Sequence, residues 1–548
     1  MSIYQQYYKE HFDSEGRLLD VDISYPDNFN FGYDVVDQLA AIHPDKRALV
    51  WCNTANEEHI FTFSDIRNES NKAANVLLKA GIKRGDRVIL ALKRHYEYWM
   101  IAIALHKIGA IMIPVTHMLT VEDFIYRLKA SKASAVICTT QNNVPDRVRE
   151  AVLKTQHPCR CWTLKEKISG FESFTTAMKN ASTELVRQET ASHDPMILYF
   201  TSGTTGYPKG VMHDFTYPLA HYVTAKYWQG VRENGLHFTV AETGWAKASW
   251  GKLYGQWLNE CAVMVYDFDN FEPKQMEAIM KKYNVTSFCA PPTIYRYMMR
   301  KGTKAFPSLE HISTAGEYLS PDIFNKVKDV TGLELMEGYG QTETTLLAAN
   351  FIGYTAKDAS LGKPSPLYQL EIQRDDGTKA DVGEVGEIVI RPRDGKRPVG
   401  IFCGYLDDPE RYRQAWRGNV YHTGDAAYQD AEGYLWFHGR FDDVIKSGGF
   451  RIGPYEIENV LIKHPAVFEC SVIGIPDPFR GQSIKAIVTL VSGQQPSHAL
   501  EREIRDFCNS RLAEYKWVRE VEIVDDMVKT TNGKIKKAAQ REKYGMNA

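Results

Sequence analysis

Residues 199–210 read YFTSGTTGYPKG. An apolar run at residues 196–200 leads into this stretch and has the composition of a buried strand. Gly203 and Gly206 allow the backbone to approach a ligand closely and to adopt positive φ, and Lys209 adds a positive charge. Such a loop can surround phosphate oxygens with N–H and O–H donors. The predicted phosphate-binding residues are Thr201, Ser202, Gly203, Thr204, Thr205, Gly206 and Lys209.

The residues of this loop do not match two other phosphate-binding patterns. A Walker A loop needs Gly-Lys followed by Ser or Thr, whereas Pro208 precedes Lys209 and Gly210 follows it. No G-x-G-x-x-G follows a predicted strand, so a dinucleotide-binding fold gains no support. The alternative is a surface turn rich in serine, threonine and glycine.

Upstream of the loop, the sequence predicts a parallel βαβ unit. Arg87–Leu92 (RVILAL) and Ile111–Val115 (IMIPV) are apolar runs typical of buried strands, and Glu97–His106 between them has helical spacing. Further short apolar runs lie at residues 134–138 and 285–289 beside helical patterns. The first three quarters of the chain therefore indicate an α/β fold.

The residue composition changes after about Arg440, where several glycines follow within a short segment. We expect a large domain at residues 1–441 and a small α+β domain at residues 442–548, which is within the usual domain size. The predicted elements of the small domain are a helix at Glu456–Leu461, strands at Glu469–Ile473 and Ile484–Leu490, and a helix around Leu500–Leu512.

The charge, hydropathy and cysteine content of the sequence limit the binding partners and the cell compartment that are expected. The chain has 548 residues and a formal net charge of −2, so neither nucleic acid nor a membrane surface is indicated as the main partner. The first twenty residues are polar and acidic, unlike a secretory signal. The longest apolar stretch, residues 100–115, is shorter than the ~20 residues that span a bilayer. The nine cysteines are mostly far apart and suit reduced thiols. We therefore predict a cytoplasmic protein without integral membrane segments.

The loop at residues 199–210 resembles the signature of the adenylate-forming superfamily, which includes acyl-CoA synthetases, peptide-synthetase adenylation domains and luciferases. Further matches occur in the family's order, and the segment TGWAKASWGKLYGQW (243–257) is most similar to the medium-chain acyl-CoA synthetases. The further matches are APPTIY (290–295), AGE (315–317), YGQTE (339–343), YHTGD (421–425), GYLWFHGR (433–440), DDVIKSGGFR (442–451) and TNGKI (531–535).

The resemblance implies both a reaction and an architecture. The implied enzyme uses ATP, Mg²⁺ and CoA to convert a carboxylic acid into an acyl-CoA through an acyl-adenylate, releasing AMP and diphosphate. The implied fold is a large α/β N-terminal domain of several subdomains and a small, mobile α+β C-terminal domain.

Glu343 is the candidate magnesium ligand. A carboxylate, phosphate oxygens and water commonly hold this ion together. The resemblance assigns Glu343 this role and implies that Thr342 touches the phosphates. The alternative is a solvated glutamate at the start of a helix, paired with the helix N-terminus.

Asp425 is the candidate ribose ligand, because a carboxylate can accept hydrogen bonds from both ribose hydroxyls. We expect it in a tight turn after a strand, where it could instead cap its own backbone. The resemblance implies that Arg440 lies nearby on the ribose or phosphate. It also implies that Tyr339 stacks on adenine, although an ordinary core tyrosine is the alternative. The remaining residues that the resemblance places around the nucleotide are Gly316, Glu317 and Gly340.

The resemblance gives Lys534 the role of stabilising the adenylation transition state. A compact ammonium suits a place where negative charge accumulates, but Lys534 could equally belong to a solvated basic face with Lys536 and Lys537. The resemblance further implies a domain hinge at Asp442 and a CoA tunnel lined by Gly449. The candidates for binding the CoA phosphates are Lys446, Arg451, Arg480 and Lys516. The prediction for each of them is weak, because most surface cations are only solvated.

Gly340 stands where acetyl-specific relatives carry a tryptophan. We expect the missing side chain to open a deeper acyl pocket, so that acids larger than acetate bind, whether straight medium-chain, branched or aryl. Trp245 is expected to contact the acyl group. Trp250 and Trp257 either shape the walls of the pocket or belong to the core.

Three other functions compete with this prediction. An adenylating enzyme could load the pantetheine of a carrier protein instead of free CoA. A non-catalytic nucleotide sensor could use the same fold, although Glu343, Asp425 and Lys534 argue against it. A phosphotransferase would yield ADP, and the absence of a Walker pattern disfavours it.

Overall fold

The computed structural model describes residues 2–201, 208–306, 308–317, 319–448, 450–529 and 535–545, without the side chains of Asp442 and Arg451. The chain forms two compact units. The first unit comprises Met1–Thr201, Lys209–Tyr368 and Arg393–Arg413, and the second is built mainly from Gln369–Pro392 and Gln414–Ala548. The predicted domain boundary between residues 441 and 442 stays a prediction. The second compact unit includes residues 369–392 and 414–441 as well as the C-terminal segment.

The strands within the described residues are β1 (Tyr8–Phe12), β2 (Leu18–Ile23), β3 (Arg47–Asn53), β4 (Glu58–Thr62), β5 (Arg87–Ala91), β6 (Ile111–Pro114), β7 (Ala135–Cys138), β8 (Arg160–Thr163), β9 (Glu172–Ser173), β10 (Pro195–Thr201), β11 (Lys209–Asp214), β12 (Leu236–Thr239), β13 (Ala262–Asp267), β14 (Ser287–Cys289), β15 (His311–Ala315), β16 (Leu335–Gly340), β17 (Leu346–Ala349), β18 (Lys363–Pro364), β19 (Gln369–Gln373), β20 (Gly386–Arg391), β21 (Gly404–Tyr405), β22 (Tyr421–Gln429), β23 (Leu435–Arg440), β24 (Ile445–Ser447), β25 (Phe450–Ile452), β26 (Val467–Asp477), β27 (Gly481–Leu490) and β28 (Glu520–Ile523).

The α-helices within the described residues are α1 (Gln38–Ile42), α2 (Phe63–Lys79), α3 (Glu97–Lys107), α4 (Val121–Ser131), α5 (Val144–Thr155), α6 (Phe174–Lys179), α7 (Tyr217–Val223), α8 (Ala246–Gly251), α9 (Tyr254–Leu258), α10 (Pro273–Tyr283), α11 (Pro292–Arg300), α12 (Pro321–Thr331), α13 (Pro409–Ala415), α14 (Pro454–Leu461), α15 (His498–Asn509) and α16 (Lys537–Lys543).

The first unit contains two large sheets. One has the order β21-β11-β10-β6-β5-β7-β8-β9, and the other has the order β18-β17-β16-β15-β14-β12-β13-β3-β4. The predicted βαβ unit is confirmed, since β5 and β6 pair in parallel with Arg87 opposite Ile111. Every residue of the helix between them, α3, is buried, as expected where helices cover the faces of a parallel sheet.

Strand order in the second large sheet positions the site. Strand β12 lies between β13 and β14, so the chain switches direction across the sheet at this point. In open α/β sheets, ligands bind outside the carboxyl ends of strands near such a switch. The predicted site residues Trp245, Gly316 and Glu343 follow the carboxyl ends of β12, β15 and β16, respectively.

The second unit has two further sheets. The order β19-β20-β22-β23 forms one of them, and β25-β24-β27-β26, with β28 parallel to β27, forms the other. The predicted small-domain helix and strands are confirmed as α14, β26 and β27. The last predicted helix begins earlier and ends at Asn509. Its start is fixed by Ser497, whose Oγ accepts a hydrogen bond from Leu500 N at 3.2 Å.

Candidate functional site

The predicted phosphate loop connects two paired strands. Strand β10 ends at Thr201 and β11 begins at Lys209, and these two residues are antiparallel partners. The predicted strand before the loop is therefore confirmed. Within the described residues, the buried Thr201 Oγ1 has no hydrogen-bond partner, which leaves a donor available at the loop's edge. The loop positions that lie outside the described residues are Ser202, Gly203, Thr204, Thr205 and Gly206.

Glu343 is the centre of a buried polar cluster. Lys209 Nζ lies 2.5 Å from Glu343 Oε1, and the Tyr405 hydroxyl donates to the same oxygen at 2.9 Å. Burial alone would raise the pKa of Glu343, but the Lys209 ammonium and the Tyr405 hydroxyl outweigh it and lower that pKa. The carboxylate is 6% exposed and lies in a turn. The alternative of a solvated glutamate at a helix start is therefore wrong.

Backbone hydrogen bonds fix the turn that carries Glu343. Phe402 N donates to Glu343 O at 2.8 Å, and the buried His213 ring bonds Thr342 O through Nε2 at 2.7 Å. Burial lowers the pKa of His213 to about 4, so the ring is neutral and Nε2–H is the donor to the carbonyl. Sequence reasoning missed both His213 and Tyr405, because neither stands in a motif that it had singled out.

The predicted adenine-binding residues follow β15 and β16. Tyr339 is half-buried at the end of β16, so its ring is not enclosed as an ordinary core tyrosine would be. Gly316 has a φ of +97°, with open space where a side chain would point. Glu317 is exposed, and Gly340, the last residue of β16, is half-buried.

Glu337 is a second residue that sequence reasoning missed. It lies two positions before Tyr339 on β16, and side chains two apart on a strand share a face. The Leu319 N–H bonds its carboxyl group, and burial raises the pKa of Glu337 well above its usual range. Its Oε2 is buried without a partner among the described residues. The sequence feature that could have identified Glu337 is an ionisable residue within a strand of mostly apolar residues and glycine, LMEGYG.

In the second unit, the structure brings Asp425 and Arg440 together. They are direct cross-strand partners on β22 and β23, with Arg440 Nη1 2.9 Å from Asp425 Oδ1. The expected tight turn at Asp425 is wrong, because Asp425 lies inside β22. Gly424 adopts a φ of +70° and the pairing of β20 with β22 is irregular nearby, so a local bulge aims the carboxylate instead.

The space beside Gly340 is filled. A Cβ atom at this position would lie 2.3 Å from Thr345 O and 2.5 Å from Trp250 Cη2. The Trp250 ring and the backbone therefore leave no room for a side chain at Gly340, and the expected deeper acyl pocket stays a prediction. Trp257 is a core residue that contacts Phe31 and Phe63. The role of Trp245, at the N-terminal end of α8, stays a prediction.

The predicted CoA-binding residues differ in their surroundings. Lys446 and Arg480 are exposed. Lys516 instead forms an ion pair with Glu456. The Oε1 atom of Glu456 also lies 3.3 Å from His438 Nδ1. The backbone of Asp442 lies in a short 3₁₀ turn, Phe441–Asp443. Two further predicted residues, Gly449 and Lys534, lie outside the described residues, as do the side chains of Arg451 and Asp442.

Comparison with known proteins identifies the family. A sequence model described as AMP-binding enzyme matches residues 36–406, which is more than half of the chain. A second model, described as AMP-binding enzyme C-terminal domain, matches residues 456–534. The chain belongs to the AMP-binding enzyme family. Its phosphate loop, Glu343 turn and Asp425–Arg440 pair all lie within or between these two matched segments.

Relatives of this AMP-binding enzyme share nearly its whole length. Human acyl-coenzyme A synthetase ACSM3, mitochondrial, is 37% identical, covering 96% of this chain and 92% of its own. Human acyl-coenzyme A synthetase ACSM5, mitochondrial, is 38% identical, covering 94% and 90%. The structure of the anthranilate CoA ligase AuaEII in complex with anthranoyl-AMP superposes with a TM-score of 0.83 at 28% identity, covering 95% of this chain and 98% of that chain.

These findings confirm the predicted family, its acyl-CoA synthetase branch and the fold of a large α/β domain with a small C-terminal domain. The chain is thus an enzyme of the ligase class that forms AMP. In the part of the chain that the structure describes, no helix is both long and apolar enough to cross a membrane.

Proposed function

We propose that this AMP-binding enzyme is an acyl-CoA synthetase that converts a carboxylic acid, ATP and CoA into an acyl-CoA, AMP and diphosphate. The observation that carries the proposal is the cluster of Lys209, Tyr405 and Glu343 beside the phosphate loop. It combines a cation, a hydroxyl donor and a buried carboxylate at the loop where a triphosphate would bind.

The residues of this cluster fit a magnesium ion. Glu343 is ionised, buried and oriented by Tyr405, which is what a hard oxygen ligand requires. When bound between Glu343 and nucleotide phosphates, Mg²⁺ would neutralise the charge that opposes attack by a carboxylate. The described residues contain no separate group of three or more potential metal ligands, so phosphate oxygens and water would complete the coordination.

In the first half-reaction, a carboxylate oxygen attacks the α-phosphorus of ATP and diphosphate leaves with the bonding electron pair. Lys209, Thr342 and Lys534 supply positive charge and hydrogen-bond donors where negative charge develops. This is the electrostatic type of catalysis, in which one such donor contributes about 3–4 kcal/mol. No general base is needed, because the attacking carboxylate is already ionised at neutral pH.

The proposed ligands of the nucleoside are Asp425, Tyr339 and Glu337. Asp425, held by Arg440, accepts the ribose hydroxyls, and Tyr339 stacks on adenine. Glu337 offers its buried carboxyl group to the amino edge of adenine, since Oε2 lacks a partner among the described residues.

In the second half-reaction, the CoA thiol attacks the acyl carbonyl and AMP leaves with one oxygen of the original carboxylate. Asp442 is the proposed hinge between residues 1–441 and 442–548, which allows the small domain to serve both half-reactions. Gly449 lines the tunnel for the pantetheine arm. Of the phosphate-binding candidates, exposure favours Lys446 and Arg480 over the paired Lys516.

The proposed acid is larger than acetate. The structural relative that binds anthranoyl-AMP supports an aryl acid as one candidate, beside straight medium-chain and branched acids. A panel of such acids in an AMP-release assay, with and without CoA, tests the proposal. We expect AMP release to be acid-dependent and to rise with CoA. Release of ADP, or activity only with a holo-carrier protein in place of CoA, would contradict it.

The proposed compartment is the cytoplasm, because the nine free cysteines suit a reducing environment. The human relatives are named as mitochondrial, which makes the mitochondrion the competing location. Fractionation of cells that express the complete chain distinguishes the two: recovery with mitochondrial markers would overturn the cytoplasmic proposal.

A further inference from the structure

Tyr405 touches both charges of the buried ion pair at the phosphate loop. Its hydroxyl donates to Glu343 Oε1 at 2.9 Å and lies 3.3 Å from Lys209 Nζ, from which it can accept a hydrogen bond. Lys209 Nζ also lies 4.9 Å from the centre of the Tyr405 ring, within the range of a cation–π contact. The Tyr405 hydroxyl therefore bonds both the carboxylate and the ammonium, and its ring also contacts the ammonium.

The backbone holds Tyr405 in place relative to both partners. Strand β21 pairs with β11 so that Tyr405 is opposite Val211, two residues after Lys209. On either side, Leu406 N donates to Gly210 O and Phe402 N donates to Glu343 O, both at 2.8 Å. The segment at residues 402–406 is thus bonded to the strand that carries Lys209 and to the turn that carries Glu343. These bonds fix the backbone on both sides of Tyr405 relative to Lys209 and Glu343.

Lys209 can pair with two kinds of anion, the Glu343 carboxylate and the phosphates of a nucleotide. In the structure it pairs with Glu343, whose side chain is 8% exposed, and a buried carboxylate without a positive partner is strongly unfavourable. It also borders the phosphate loop, where a triphosphate brings several further negative charges. If the ammonium turns towards a phosphate, Glu343 needs another cation at the same oxygen, and a divalent ion that also binds phosphate can fill that need.

We propose that Lys209 occupies the cation position on Glu343 when no nucleotide is bound, and that Tyr405 is the positioning residue that keeps this carboxylate oriented while a divalent cation replaces the ammonium. The inference rests on the proposed function, because it assumes that a metal–nucleotide complex binds at the loop. It extends that function by assigning an order: the cation position is filled by the protein before the nucleotide arrives. It also explains why a tyrosine is buried beside two opposite charges.

The first test measures metal binding without turnover. Mn²⁺ is the probe, and the electron paramagnetic resonance signal of free Mn²⁺ reports binding to the full-length protein without nucleotide. We expect Lys209→Met, which vacates the position, to bind Mn²⁺ at least about tenfold more tightly than the wild type, and the double variant Lys209→Met/Glu343→Gln to lose this gain. Lys209→Gln provides a second, polar replacement should the methionine variant fold poorly. Equal Mn²⁺ affinity of the wild type and the folded Lys209 variant would contradict the proposed replacement of Lys209 by a cation. A gain in Mn²⁺ affinity that persists in the double variant with Glu343→Gln would contradict it as well.

The second test addresses Tyr405 through Tyr405→Phe, which keeps the ring and removes the hydroxyl. A hydrogen bond to a charged group contributes about tenfold or more in an equilibrium constant. We therefore expect Mn²⁺ affinity of the protein–ATP complex to fall about tenfold, and the Mg²⁺ concentration at half-maximal pyrophosphate exchange to rise by a similar factor. The thioester step from supplied acyl-adenylate should not change. Tyr7→Phe is the matched control, since Tyr7 is buried in the same unit and its hydroxyl donates to Asp34 O at 2.9 Å, with no contact to the cluster among the bonds described.

The outcomes separate this inference from the proposed function. Acid-dependent pyrophosphate exchange in the wild type together with identical Mn²⁺ and Mg²⁺ behaviour of Tyr405→Phe and Tyr7→Phe would refute only the positioning role. Absence of exchange with every acid in the panel would instead remove the proposed function on which it rests.

Discussion

Arg440 lies directly across an antiparallel pair of strands from Asp425, and its Nη1 is 2.9 Å from Asp425 Oδ1. The carboxylate side chain is 6% exposed and the guanidinium side chain is 42% exposed. Thr423 Oγ1 additionally accepts from Asp425 N at 3.1 Å. Arg440 thus orients a buried carboxylate while part of the arginine still faces solvent, which supports the proposal that Asp425 binds the ribose.

Asp425→Asn should weaken ATP binding and leave the fold unchanged, because the amide keeps the shape but loses the charge that strengthens hydrogen bonds to hydroxyls. We expect the KM for ATP in pyrophosphate exchange to rise about tenfold to a hundredfold. With 2′,3′-dideoxy-ATP, which lacks both hydroxyls, wild type and variant should become equal. The exposed Asp376→Asn in the same unit is the control. A deficit of the same size with the dideoxy nucleotide would rule out ribose as the partner of Asp425.

Lys534→Ala should abolish adenylate formation, with a loss of at least about a hundredfold in the rate. The physical reason is the removal of an ammonium from the place where charge accumulates in the first half-reaction. Thioester formation from supplied acyl-adenylate and CoA should stay largely intact. Single-turnover assays of each half-reaction measure this, with Lys536→Ala as the neighbouring control. Equal loss in both steps would contradict separate roles for the small domain.

Gly340→Trp should inactivate the enzyme with every acid, because a Cβ there meets Thr345 O at 2.3 Å and the backbone cannot move away easily. Removing the ring that fills the space, by Trp250→Ala, should instead favour longer acids. Each additional methylene that becomes buried would improve kcat/KM by about fourfold.

Chain-length profiles of Trp250→Ala and the milder Trp250→Phe check this prediction. An intermediate profile for the phenylalanine variant would support graded filling of the space beside Gly340. A profile identical to that of the wild type in both variants would place Trp250 outside the acyl pocket.

Stability should depend on pH through buried histidines such as His237. Its ring bonds Ser287 Oγ at 2.7 Å and Thr239 Oγ1 at 2.8 Å, and burial lowers the pKa of His237 from 6.5 to about 3. The unfolded chain therefore binds a proton below about pH 6.5 that the folded chain does not. The stability associated with neutral His237 is present above pH 6.5 and is lost as the pH falls towards 3, by about 1.4 kcal/mol per pH unit.

Urea unfolding at pH 7, 6 and 5 tests this sign. The free-energy difference between the wild type and His237→Gln should shrink as the pH falls, whereas the difference for the non-titrating Ser287→Ala should stay constant. A His237→Gln difference that grows at low pH would show that the ring is protonated in the folded state.

Much of the fold could be predicted from the sequence, for a physical reason. Parallel strands that are covered on both faces appear as continuous apolar runs, and β5, α3 and β6 were recognisable in this way. The ends of the phosphate loop could be placed for the same reason, since β10 is apolar up to the first hydroxyl residues. The order of motifs then gave the family.

The parts that could not be predicted depend on contacts between residues distant in sequence. The burial of Glu343 requires Lys209 and Tyr405, and the filled space beside Gly340 requires Trp250 on α8. The position of Asp425 within a strand depends on irregular pairing around Gly424, where glycine and aspartate alone favour a turn. No local pattern reports such contacts.

In the proposed reaction, a carboxylate oxygen becomes bonded to the α-phosphorus of ATP. The most direct measurement supplies an acid labelled with ¹⁸O in its carboxylate, together with ATP and CoA, and analyses the nucleotide product by mass spectrometry. We expect AMP that carries one ¹⁸O atom for each acyl-CoA formed. Unlabelled AMP, or label found in inorganic phosphate with ADP as the nucleotide product, would contradict it.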